Sequence, residues 1–401
     1  MRLALLSLAV LAQAPGGWRA QATALKAKGD AAGALAAFER AAETEPNAAD
    51  LRDEIGFLSA VVGRRTEGIA WFREAIRLDA RYAPAHYHLG VALWLTGQRE
   101  EALVSMREAV RLAPRDLEYR ARLAAALQEL GLDDDAVREA RAGLALSPRR
   151  DDLWNLIGLV EQKRGDRDKA RAAYAKAVAL KPGEFDYRNN YGFLLVDMGD
   201  ADAGMAQFRA VLQRDARNKR ALVNVGYAYL QKSDFEAALT QFEGLAAKFP
   251  DDAVVRYDLA LALKQKDRID DAKREFREAL RLNPEMVEGY YTLGITAWQN
   301  GDFDEAIAAF RGAVTRKPDY AAAHFMLGTA LKHKGIFKEA AVSLEEAIRL
   351  DPSTPGPFNT LAQIKQAEGD REAARKLFAQ AAEAKKKLEA AQAKKLGVMG
   401  R

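Results

Sequence analysis

Four histidines, His86, His88, His324 and His333, are the side chains of this 401-residue chain best suited to moving protons or binding a metal near neutral pH. His86 and His88 lie two apart in a stretch that reads as helix, so they point to different sides and make poor joint ligands. The acids Asp133-Asp134-Asp135 and Asp200-Ala201-Asp202 resemble calcium ligands. They lack the alternating acids, central glycine and closing glutamate of a calcium loop, and they fall where helices are expected to start, which negative charge favours. No glycine-rich loop ends in Lys-Ser or Lys-Thr, and no H-E-x-x-H occurs. The chain has no cysteine, which excludes disulfides, thiolate metal sites and cysteine nucleophiles. The histidines therefore read as helix-surface residues and the acids as helix starts. No catalytic, cofactor or metal site is expected, and the chain reads as non-enzymatic.

The elements that would carry any functional side chain repeat with a fixed period. Tyr290–Pro318 holds Gly294, a turn at Gly301-Asp302, Ala306, Phe310 and Pro318; thirty-four residues earlier stand Ala260, Asp267, Ala272, Phe276 and Pro284. Eleven uninterrupted windows begin at residues 15, 49, 83, 117, 151, 185, 219, 253, 287, 321 and 355. The eighth residue of every window is Gly or Ala, from Ala22 to Ala362, and so is the twentieth, from Ala34 to Ala374. Two helices joined by a short turn can press together only where side chains are small, because overfilling such a contact strains both. Nine windows place Gly between the helices, six follow the turn with Asp (Asp30, Asp166, Asp200, Asp234, Asp302 and Asp370), and eight of the first ten close on Pro. Glycine ends a helix in the left-handed conformation, a short acceptor caps the next one, and proline stops it. Ala80 and Ala216 stand where the second and sixth windows would carry Pro.

The windows resemble the tetratricopeptide repeat, W-x2-L-G-x2-Y followed by A-x3-F and P. Window five carries Trp154, Ile157-Gly158, Ala170, Tyr174 and Pro182; window one carries Trp18, Ala34, Phe38 and Pro46. The resemblance spans residues 15–388 and implies an all-α, right-handed superhelical solenoid of about eleven tandem helix-turn-helix repeats. Residues 1–14 and 389–401 flank it.

The flanks carry their own signals. Residues 1–14, MRLALLSLAVLAQA, have one Arg, an apolar run from Leu3 to Ala12 and a small-x-small end. That is the layout of a secretory signal, and the run is too short to span a bilayer. Cleavage after Ala14 or after Ala22, or retention as an apolar helix capping the array, all fit. Export would make the protein periplasmic or secreted; retention would leave it cytoplasmic. The net charge is only +4, so no nucleic-acid partner is expected. Much of the excess lies in Lys385-Lys386-Lys387, Lys394-Lys395 and Arg401, which either form a polar cap for the array or a basic tail able to touch an acidic membrane.

In this family the first helix of each pair lines a concave surface, and the resemblance assigns the second, fifth, sixth, ninth, twelfth and thirteenth places to it. Tyr257, Tyr291 and Phe325 fall on fifth places, Tyr227 and Ile295 on ninth places and Trp298 on a twelfth; Tyr87 and Trp94 lie towards the other end. Large aromatics can anchor partner side chains, or they can fill the space between repeats. Asn155, Asn189, Asn190 and Asn224 lie on the same surface. A row of amides can grip an extended peptide backbone, or simply be a solvated polar face. The two-Lys, two-Asn clamp for a C-terminal carboxylate is not reproduced, because no ninth place holds Asn. The resemblance thus implies a scaffold that binds a protein or peptide segment, in a bacterial cell envelope if residues 1–14 direct export. A small-molecule or glycan site among the aromatics, or a non-catalytic subunit of an enzyme complex, are the alternatives.

Overall fold

The computed structural model describes residues 17–399, so the segment 1–14 and Arg401 lie outside the described residues. Among the described residues there are twenty-two α-helices and no strand. They pair as helical hairpins with the thirty-four-residue period. A leading helix such as Asp151–Lys163 is followed by a trailing helix such as Arg167–Leu180. The trailing helix buries Ala170, Ala173, Tyr174 and Ala177, the three- and four-residue spacing of a single apolar stripe. The chain divides into two units at Met198/Gly199. The first holds repeats one to five and the leading helix of repeat six; the second begins with the trailing helix of repeat six. In the first unit one buried core runs from Ile69 to Ala173. In the second, cores run from Ala238 to Ala309 and from Ala297 to Ile364. The final trailing helix, Arg371–Met399, is twenty-nine residues long, about twice the length of the others.

The small residue at the eighth place has a specific neighbour. A Cβ on Gly158 would lie 2.5 Å from the Tyr174 ring, one on Gly226 2.5 Å from the Phe242 ring, and one on Gly294 2.6 Å from the Phe310 ring. The bulky residue at the twenty-fourth place thus packs into the space left by the missing side chain. Tyr174, Phe242 and Phe310 are among the most deeply buried side chains. The twentieth place meets the other backbone directly: a Cβ on Gly68 would lie 2.7 Å from the Gly56 carbonyl oxygen.

All nine turn glycines adopt positive φ, between 73° and 90°. The two repeats without glycine adopt the same conformation with Ser233 and Asp267, both at φ 58°, where a Cβ crowds the following carbonyl. The turn aspartates cap as expected at five of six positions. Asp30, Asp166, Asp200, Asp234 and Asp370 each accept a hydrogen bond from the backbone N–H three residues on, at 2.8–3.2 Å. Asp302 is the exception to that expectation: its side chain makes no cap. It is drawn instead to the buried Lys273 ammonium and to Asn300 Nδ2 at 2.8 Å. Asp166 also meets an ammonium, that of Lys169, yet keeps its cap, because Lys169 follows it by only three residues; Lys273 draws Asp302 from the preceding repeat.

A second regularity ties the loops down. The fourth-place side chain of seven repeats donates to a loop carbonyl six residues back. Arg52, Arg120, Arg188 and Arg256 bond Pro46, Pro114, Pro182 and Pro250; His86 and His324 bond Ala80 and Pro318; and Trp154 bonds Pro148, at 2.8–3.1 Å. Ala80 is therefore held as the prolines are. The Ala216 loop has no such clasp, because Leu222 occupies the fourth place.

Repeat seven offers the same substitution in two settings. Gly226→Ala, driven against Phe242, should cost about 1–3 kcal/mol. Gly244→Ala has nothing within 4 Å of the added methyl and should stabilise by roughly 0.5–1 kcal/mol through helix propensity. Thermal or urea melts with both changes of one sign would contradict this packing.

The turns give an independent check. Gly335→Ala meets no atom within 4 Å but retains φ 76°, and should lose about 1 kcal/mol. Asp267→Gly should gain a fraction of that amount. Equal melting midpoints for Gly335→Ala and wild type would remove the strain argument.

Candidate partner-binding face on the leading helices

The four histidines all have structural partners. His86 and His324 clasp loops, as above. His88 Nδ1 lies 2.8 Å from Asp53 Oδ1, with Asp53 buried; a carboxylate only accepts there, so Nδ1 carries the proton. The His333 ring lies 3.9 Å from that of Phe303, and both flank Trp298 at 5.0–5.5 Å. Asp133, Asp134 and Asp135 occupy the first turn of Asp133–Leu146 and face cations: Lys163 at 2.8 Å, Arg164, and Arg107 at 3.0 Å. Asp202 faces Lys232 at 2.7 Å.

The His88–Asp53 contact belongs to a series. The fifth place of one leading helix bonds the sixth place of the next at three junctions: Asp53 to His88, Asn155 to Asn190 at 2.9 Å, and Tyr257 to Thr292 at 3.1 Å. These rungs are thirty-five residues apart in sequence and recur at every third junction. Each joins adjacent leading helices on the face that the repeat pattern marks for ligands.

In the first unit two of the three asparagines are consequently engaged with each other. Asn190 is buried and donates to half-buried Asn155. Asn189 is 1% exposed, and its Oδ1 has no hydrogen-bond partner. In the second unit Asn224 is buried. An amide row open to solvent is not what these positions form.

The aromatic series lies in the second unit, and every member is half-buried. Tyr257 packs 5.6 Å from Phe276, and burial raises its pKa. Tyr291 lies between Phe310 at 6.0 Å and Tyr320 at 5.0 Å. Phe325 covers Gly356 of the next repeat, where a Cβ would stand 2.7 Å from the ring. Ile295 and Trp298 pack on the core that runs from Ala297 to Ile364. Tyr227 is half-buried on the leading helix of repeat seven. The rings thus fill gaps between helices while keeping part of each side chain in solvent.

The first unit holds an apolar groove to which Tyr87 is the only contributor among the aromatics named from the sequence. This groove of about 370 Å³ between the leading helices of repeats two and three is lined by Phe57, Val61, Tyr87, His88, Val91 and Leu95, with Arg65 at its edge. Val61 and Leu95 are 56% and 60% exposed. They occupy thirteenth places, and Phe57 and Val91 ninth places, so the repeat pattern did mark them. Trp94, in contrast, is buried beneath the Arg99 guanidinium at 4.0 Å. Tyr87 stacks on Tyr119 at 4.5 Å.

Family models match the tetratricopeptide repeat at residues 83–116, 257–320 and 291–355, and the TPR domain of cytochrome c-type biogenesis protein H at 140–256. The chain belongs to the tetratricopeptide-repeat family. Repeats of this family indicate a protein-interaction scaffold, a fold that is typically non-catalytic. No curated protein matches. Among solved structures, a tetratricopeptide-repeat protein from Parabacteroides merdae aligns with TM-score 0.57 at 13% identity, over 62% of this chain and 98% of its own. Yeast Tom70 aligns with TM-score 0.50 at 16% identity, over 95% and 96%. Both likenesses concern the fold.

One leading-face carboxyl stands apart from the rungs of this tetratricopeptide array. Asp258 occupies a sixth place, but the residue thirty-five before it is Val223, which offers no hydrogen bond. Burial, with Asp252 adding to it, pushes the Asp258 carboxyl up to about 7. A raised carboxyl pKa means the folded chain favours the neutral form. Its contribution to stability is full below the ordinary aspartate range near 4 and is lost as pH rises through about 7. Asp258→Asn should therefore match wild type near pH 4 and melt a few degrees higher at pH 8. A difference in melting temperature that does not change with pH would refute this.

Proposed function

We propose that the chain is a non-enzymatic scaffold that holds a segment of another protein against its leading helices, in a bacterial cell envelope. The observation that carries this reading is the apolar surface left on that face. Val61 and Leu95 stay more than half exposed beside a groove, and half-buried rings line the second unit. Exposed apolar side chains gathered at a concavity are the kind of surface that partners bury. Membership of an interaction family supports the reading. So does the match over residues 140–256 to a domain named for cytochrome c-type biogenesis, since biogenesis of a protein requires handling another polypeptide. The envelope location rests on the signal-like layout of residues 1–14. No described helix is long and apolar enough to cross a membrane, which leaves the Lys-rich tail as the proposed point of any membrane contact. No cofactor and no nucleic acid enter this function.

Capture from the native host, read by mass spectrometry, tests the face directly. Wild type should retain specific proteins that fall at least tenfold with Val61→Asp/Leu95→Asp or with Tyr257→Ala/Tyr291→Ala, each variant first shown to melt as a helical protein. Partners unchanged by both pairs would place binding elsewhere and refute the proposal.

A further inference from the structure

The groove of repeats two and three carries, at Arg65, a positive charge with no partner among the described residues. Its walls are two short apolar ridges, Phe57/Val61 and Val91/Leu95, each four residues apart on adjacent leading helices. At about 370 Å³ it falls in the size range of pockets that bury a ligand, roughly 300–1,000 Å³. Arg65 lines one edge and makes no ion pair or hydrogen bond among the described residues. Acids of the same repeat have other partners: Glu54 pairs with Lys26 at 2.5 Å, Glu67 with Arg64 at 3.7 Å, and Asp53 with His88.

A second cation, not itself a lining residue, stands on the next leading helix, Leu117–Glu129, beside Tyr87. Arg122 holds the sixth place of repeat four, the position that would form a rung with Tyr87 of the groove wall, thirty-five residues earlier. It has no ion pair among the described residues, and its Nε is shut off from solvent without a hydrogen-bond partner. The nearby Glu118 is turned to Arg150 at 3.4 Å. Arg122 is close enough to Tyr87 to oppose the rise that burial imposes on that phenol's pKa. A guanidinium N–H that has lost water and gained no acceptor is a donor waiting for one. Arginine, with a planar fork of donors, matches a carboxylate.

We propose that this groove binds an acidic apolar segment of a partner protein. Two or more aliphatic or aromatic side chains settle between the ridges, and a carboxylate is held by Arg122, with Arg65 at the groove edge. The inference rests on the leading helices being the binding face, and it names the chemistry of the partner there. The carboxylate can come from an Asp or Glu side chain or from a chain terminus.

A displayed library of random twelve-residue peptides with free C termini, selected against the full chain, supplies the probe. Enriched peptides should combine at least two of Leu, Ile, Val and Phe with an acidic group, and bind in fluorescence anisotropy with an affinity that falls as salt rises. Val61→Asp or Leu95→Asp, changes at exposed positions, should weaken binding at least tenfold. Arg122→Gln should weaken it about tenfold and flatten the salt dependence. Arg122→Glu should recover affinity for a peptide whose acid is replaced by Lys, which a merely unfolded variant could not do. Peptides resynthesised with amidated C termini separate the two carboxylate sources: retained affinity assigns the contact to a side chain, lost affinity to the terminus. Selected peptides without acidic residues, or indifferent to Arg65→Gln and Arg122→Gln, would overturn the inference. So would peptides lost only with Tyr257→Ala/Tyr291→Ala, although these would leave the scaffold reading intact. Retention of no peptide on either face would count against both.

Discussion

The structure depends on the close approach of two helices inside each repeat. Where Gly158, Gly226 or Gly294 leaves out a side chain, Tyr174, Phe242 or Phe310 fills the space, so a missing atom and a large ring act as one contact. The hairpin angle, the path of the loop and the positions of the next leading helix all follow from it. A turn that must reverse the chain within a few residues then requires positive φ, even where Ser233 and Asp267 bear the strain. Packing of this kind tolerates little extra volume, which explains why small residues hold two places in all eleven repeats.

Once the hairpin is fixed, the outer parts of each leading helix are released for other work. In seven repeats the fourth place secures the loop behind it, at three junctions the fifth and sixth join neighbouring repeats, and most thirteenth places are left towards solvent. That division puts Val61 and Leu95 where no structural contact needs them. It also explains why the half-buried rings of Tyr257, Tyr291 and Phe325 have a double character: part of each belongs to the packing and part is left in solvent.

The fold was legible because its determinants are local and repeated. Smallness of a side chain is a property of one residue, and eleven copies of it, as Gly or Ala, make it visible. The same logic placed the turn glycines and five of the six aspartate caps. It failed at Asp302, where Lys273, in the preceding repeat, offers a stronger partner. The candidate site was less legible, because it depends on which side chains face each other across repeats. Asn155 and Asn190 look like free amides until the thirty-five-residue offset brings them together. His88 looks like an isolated histidine until Asp53 is beneath it. The groove of repeats two and three is hard to read from sequence because Val61, Val91 and Leu95 carry no chemical signature beyond being apolar, although their places in the repeat mark them.

The rungs have one more consequence. Every hairpin is built to the same plan, so any two could in principle dock, and a chain of near-identical parts risks assembling them in the wrong order. The rungs are not identical: an aspartate meets a histidine, an amide meets an amide, and a phenol meets a hydroxyl. Docking Asp53, Asn155 or Tyr257 against a sixth place such as Ala20, Leu156 or Met326 would leave a polar group without its partner. The three pairs thus act as addresses written along an otherwise uniform array. They set these three junctions apart from those whose fifth or sixth place is apolar.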